Sequence, residues 1–75
     1  MMKLFRWNRK EQRWEFFRYA KFPHFPRVGD QIELRDLEQV LHKFVVEEVI
    51  FQELFGYRRP EDDQFEVHIY LSDEI

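Results

Sequence analysis

The side chains with the widest chemical reach in this 75-residue chain are its rings and its cations, and they occur together: Arg6-Trp7, then Arg13-Trp14, with Arg18 close behind. Bases stack on the π-faces of rings while cations follow the phosphates, so this interleaving is what single-stranded RNA or DNA needs. Arg6, Trp7, Arg13, Trp14 and Arg18 are therefore the candidate nucleic-acid contacts. Two considerations weigh against them. The net charge is −3, whereas nucleic-acid affinity is dominated by phosphate neutralisation. In a domain this small, large rings are also core or interface material first.

Other chemistry is thinly signalled. The three histidines (His24, His42 and His68) are far apart, and only Glu66 and His68 stand at a spacing that shares one strand face. Zinc sites show tighter ligand pairs or cysteines, and the chain has no cysteine. Glu61-Asp62-Asp63 lacks the spaced ligands and the glycine of a calcium loop, so it reads as solvated surface. Ser72 is the sole hydroxyl nucleophile of the serine or threonine kind and sits next to the C-terminus, with no base signalled beside it. Gly29 and Gly56 are the only glycines, too few for a phosphate-cradling loop. The expectation is a chain without enzymatic activity, cofactor or metal.

These side chains must be positioned by strands. Residues 3–7 and 13–19 are aromatic-rich runs separated by the polar stretch 8–12, which predicts a β-hairpin with a longer loop. Lys3, Phe5 and Trp7 fall on one face of the first strand, and Leu4 and Arg6 on the other. On the second strand, alternation sets Trp14 and Phe16 against Phe17 and Tyr19. Rings on both faces leave some exposed if only one face is covered.

Pro23 and Pro26 exclude a helix or central strand between them. Pro26-Arg27-Val28-Gly29-Asp30 then runs into the alternating Ile32-x-Leu34, the pattern of a tight turn feeding a strand. Residues 33–55 are ambiguous. Leu34, Leu37, Leu41, Phe44, Phe51 and Phe55 make a heptad-like stripe. Phe44-Val45-Val46 and Val49-Ile50-Phe51, however, are clusters suited to a pleated surface. Phe44, Val46, Val49 and Phe51 all face inward on one strand over 42–53 if the register slips by one at Glu47-Glu48, as at a β-bulge. A short helical turn within 36–41 is compatible with either reading. Gly56 opens a charged loop over 57–64, and Phe65-x-Val67-x-Ile69-x-Leu71 predicts the last strand.

Val28-Gly29-Asp30-x-Ile32-x-Leu34, with Phe44-x-Val46-x-x-Val49 and Val67-x-Ile69-Tyr70-Leu71, resembles the small SH3-like barrels, the group that includes KOW and Tudor-type modules, and in particular short bacterial proteins of this type. The resemblance spans most of 25–71. It implies a five-stranded closed barrel and carries over no catalytic residue; the segment 35–42 is longer than a tight hairpin needs.

The expected fold is thus a single all-β domain over 1–75, an SH3-like five-stranded barrel. Its expected core is Phe5, Phe17, Val28, Ile32, Leu34, Phe44, Val46, Val49, Phe51, Phe65, Val67, Ile69 and Leu71. A reducing cytoplasm is expected from the lack of cysteine, of a signal-like segment and of a membrane-spanning stretch. Charge is divided along the chain: residues 1–29 carry eight Lys/Arg against two acids, and residues 30–75 four against thirteen. Such halves suit pairing between copies. The first functional expectation is accordingly a protein-interaction module, self-association included; the alternative is weak single-stranded RNA or DNA binding. A membrane partner is not expected.

Overall fold

In the computed structural model, residues 2–53 and 65–73 are described. They form five strands and, among the described residues, no helix: β1 (Met2–Asn8), β2 (Arg13–Ala20), β3 (Gln31–Arg35), β4 (Leu41–Glu53) and β5 (Phe65–Asp73). One sheet holds them in the order β2-β1-β5-β4-β3. Three neighbouring pairs are antiparallel, and β1 and β5 run parallel. The predicted charged loop, with Gly56 and Glu61-Asp62-Asp63, lies outside the described residues.

β4 is the long bent strand that the clusters around Val46 and Ile50 predict. Its register against β5 slips between Val46 and Glu48, leaving Glu47 as the extra residue of a bulge. The turn before β3 is tied to that bulge. Gly29 N–H donates to Val46 O at 2.8 Å, and Val46 N–H donates to Asp30 O at 2.9 Å. The turn closes on itself through Asp30 N–H to Arg27 O at 3.0 Å and Arg27 N–H to the Asp30 carboxylate at 2.9 Å. Its third residue has φ of +94°, where an L side chain is strained and glycine is not.

A bulge in β2 also corrects the simple alternation. Leu4 pairs with Arg18 and Phe5 with Phe16, so Phe17 is the extra residue. Trp14, Phe16 and Tyr19 end on one face, while Phe17 turns to the other and meets Phe44 at 5.4 Å between ring centroids. That contact joins β2 to β4 across two intervening strands, so the sheet is strongly curled. It does not close. Among the described residues β2 and β3 are the outermost strands, and where a ladder would complete the ring the Arg18 guanidinium reaches across to Arg35 O at 3.1 Å. The predicted ring of ladders is therefore open at one seam.

The core fills the concave face: Met2 and Leu4 from β1, Phe44 and Val46 from β4, and Val67, Ile69 and Leu71 from β5. Phe17, Ala20, Phe22, Ile32, Leu34 and Val49 pack around it. Four expected core residues lie outside this cluster and the residues packed around it. Phe5 points to the convex face, Val28 is 67% exposed at the turn tip, and Phe51 and Phe65, opposite Val67 and Glu53 near the far end of the β4–β5 ladder, are also exposed. Met2 and Leu4 take the central places instead, because β1 is an interior strand that pairs with the middle strand β5. The segment 36–41 holds a turn in place of the helical turn considered above. The Asp36 side chain accepts the N–H groups of Glu38 (2.8 Å) and Val40 (3.0 Å), competing with helical bonding.

Candidate interaction face

The convex face of β2, β1 and β5 carries a second layer of rings. Strand register brings them together: Trp7 stands opposite Trp14, Phe5 opposite Phe16 on one side and Tyr70 on the other, and Lys3 opposite Tyr19 and His68. Ring centroids are 5.2 Å apart for Trp7–Trp14, 5.0 Å for Trp14–Tyr70 and 4.9 Å for the stacked Phe5–Tyr70 pair. Phe16 meets Phe5 edge-on at 6.3 Å and Tyr19 at 5.2 Å. Such pairs contribute roughly 0.5–1.5 kcal/mol each beyond their burial. Phe16 remains 50% exposed, and Trp14 and Tyr19 are exposed beside it on the outermost strand.

Lys3 covers one end of this layer. Its Nζ lies 5.6 Å from the Phe5 centroid and 5.5 Å from that of Phe16, with Glu66 at 4.0 Å. The Glu66 carboxylate also pairs with His68 Nε2 at 2.5 Å, and the His68 ring packs 5.2 Å from Phe5. The shared face of Glu66 and His68 is thus real, and what it serves is ring packing. Among the described residues, no group of three or more His, Asp or Glu side chains could hold a metal ion.

The five candidate nucleic-acid contacts are divided by the pleat. Trp7 and Trp14 meet on the convex face. Arg6 points to the concave side, 3.3 Å from Asp73 and 5.5 Å over the Phe44 ring. Arg13 is held by Glu15 at 3.0 Å and Glu11 at 3.5 Å. Arg18 bonds Tyr19 O and Arg35 O at the open seam. Lys3, which is not among these five, is the described cation that lies over the Phe5 and Phe16 rings. Its place opposite Tyr19 was hidden by the β2 bulge.

His42 Nε2 and the Asp36 carboxylate are 2.8 Å apart. That hydrogen bond, then the Val40 N–H, lowers the Asp36 pKa below 3.8; desolvation opposes the shift, while the Glu38 N–H and the charge of His42 add to it. The Ser72 hydroxyl donates to Glu47 at 2.5 Å and so is bound to the β4 bulge. Among the described residues, no helix is long and apolar enough to cross a membrane. No protein-family model, curated protein or solved structure matches this chain.

Proposed function

We propose that this chain is a non-enzymatic interaction module whose convex ring layer docks a second copy of itself. The exposed rings of Trp14, Phe16 and Tyr19 on one outer strand carry this reading. A contiguous ring surface that water does not favour is stabilised by covering it, and rings are the favoured anchors of such contacts. The occupant follows from charge. The basic residues of the first 29 positions sit on β1, β2 and their connections, whereas β4 and β5 carry five acids (Glu47, Glu48, Glu53, Glu66 and Asp73) against the single cation Lys43. In a two-fold pair, the basic side of each copy can lie over the acidic side of the other, a self-complementary arrangement. We also place the chain with the small SH3-like barrels. The antiparallel β3-β4-β5 run, the Gly29 turn and the bulged β4 support this placement.

Sedimentation velocity across micromolar concentrations tests the reading. Dimers are expected for the native chain, and monomers for the double variant Phe16→Ser, Tyr19→Ser. A native chain that stays monomeric throughout refutes it. The Trp7–Trp14 pair favours a second reading, single-stranded RNA or DNA, because two adjacent rings form a stacking platform. Tryptophan quenching by an RNA oligonucleotide that vanishes in salt would establish that alternative.

A further inference from the structure

The three exposed rings of the convex face are too small an area to hold two copies together on their own. Trp14, Phe16 and Tyr19 are between 38% and 50% exposed. A ring of this kind buries roughly 150–250 Å² in full, so the three together still offer roughly 200–350 Å². A stable pair covers about 800 Å² on each partner, of which a little over half, roughly 450 Å², is apolar. The self-docking contact must draw in further apolar surface beside β2.

One such surface lies directly across the seam. The Arg18 guanidinium donates to Arg35 O, so the end of β3 is one arginine side chain away from Tyr19 and its neighbour Phe16. Just beyond Arg35, Leu37 is 97% exposed, and Val40 and Leu41 are about half exposed. Phe44 faces the core, and Leu41, three positions before it on β4, faces outward as the rings do. At roughly 60–120 Å² for each aliphatic side chain buried whole, these three add about 120–230 Å², which makes up the shortfall. The remaining exposed apolar residues are elsewhere. Phe51, with Phe25 packed on it, and Phe65 lie at the other end of β4, a 13-residue strand roughly 40 Å long. Ile50 is separated from β2 by β5 and β1.

The turn over 36–40 is held in one shape. The Asp36 carboxylate accepts the N–H groups of Glu38 and Val40 and pairs with His42. Asp36 N–H donates to Val40 O at 3.0 Å, and the Arg35 guanidinium donates to Gln39 O at 2.9 Å. A contact made by a fixed turn loses little ordering entropy on association.

We propose that the pair is reciprocal: the apolar turn over 37–41 of each copy packs on the Phe16 and Tyr19 rings of the other. This inference rests on the self-docking reading and specifies what covers the rings. Two-fold symmetry makes the contact twice, with the axis between the two patches. It also sets β2 of each copy over the start of β4 of the other, in keeping with the division of charge.

Sedimentation velocity of native and variant full chains tests it. Leu37→Asp should weaken the dimer about tenfold or more, because a buried leucine is lost at both contacts. Val28→Asp, the same kind of change at an exposed position at the other end of β3, should leave the dissociation constant unmoved. Leu37→Asp keeps its rings, and the double variant Phe16→Ser, Tyr19→Ser keeps its turn. An equimolar mixture of the two restores one intact contact, so heterodimers should form more tightly than either variant pairs with itself. Leu37 is nearly fully exposed, so its substitution leaves the fold intact, and unchanged amide spectra along the strands verify this. A native chain that never pairs removes the self-docking reading and this inference together. A native dimer that Leu37→Asp leaves at full strength, or a mixture that forms no heterodimer, overturns this inference alone and returns the contact to rings meeting rings.

Discussion

Leu4→Ala and Phe16→Ala, measured side by side, decide which face of the sheet is the core. Leu4 is fully buried on the interior strand β1, paired with Ile69 of β5 on one side and Arg18 of β2 on the other. Truncating a fully buried leucine costs about 2–5 kcal/mol, part transfer and part cavity. A chain of 75 residues has roughly 4–11 kcal/mol of total stability at 0.05–0.15 kcal/mol per residue. The substitution thus removes about a fifth of the margin at the least and all of it at the most, and Tm should fall by roughly 8–40 °C at about 4–8 °C per kcal/mol. Phe16 is half exposed and keeps two edge-on ring contacts. Losing half its burial and those contacts costs about 1–2 kcal/mol. Urea melts at several protein concentrations provide the comparison, because dimerisation adds a concentration-dependent share to the Phe16 effect only. If Phe16→Ala costs as much as Leu4→Ala at the lowest concentration, the convex layer is the structural core and the interaction reading fails.

Further outcomes follow from the turns and the ion pairs. Gly29→Ala meets no atom within 4 Å, so its cost is purely that of a left-handed backbone, about 1–2 kcal/mol in a urea melt; Gly29→Asn should cost less, and equal losses would count against this account. The lowered Asp36 pKa contributes stability that is present above 3.8 and is lost as pH falls through the folded value. Asp36→Asn should therefore flatten the acid limb of a stability–pH profile, and an unchanged limb would refute the role of the turn. Arg6→Gln should cost about 0.2–1 kcal/mol through the half-exposed Asp73 pair and leave the dimerisation constant unmoved in sedimentation, since Arg6 lies on the concave side.

Much of this was legible from local pattern. Period-two alternation in 65–71, the polar break at 8–12 and the β-branched clusters of 44–51 specify strands because side chains alternate across a pleat. The slip at Glu47 followed from the requirement that Phe44, Val46, Val49 and Phe51 share a face. The split between Trp7 and Arg6 was equally readable, since neighbours on a strand point apart. Less legible was the Phe17 bulge, because a run of Trp, Phe, Phe and Tyr looks apolar in either register. Its consequence, Tyr19 joining Phe16, depends on which β1 residues lie opposite.

By itself, the order of residues determined five extended segments, the left-handed glycine at 29 and the division of charge into a basic and an acidic part, since these depend on neighbours along the chain. Strand order was decided only in three dimensions. The parallel docking of β5 beside β1 moved Met2 and Leu4 to the centre, turned Phe5 outward, and brought rings from residues 5, 7, 14, 16 and 70 into one layer. The unclosed seam arises the same way: whether β2 meets β3 depends on sheet curl and bulges, which sum over all five strands and appear in none of them alone.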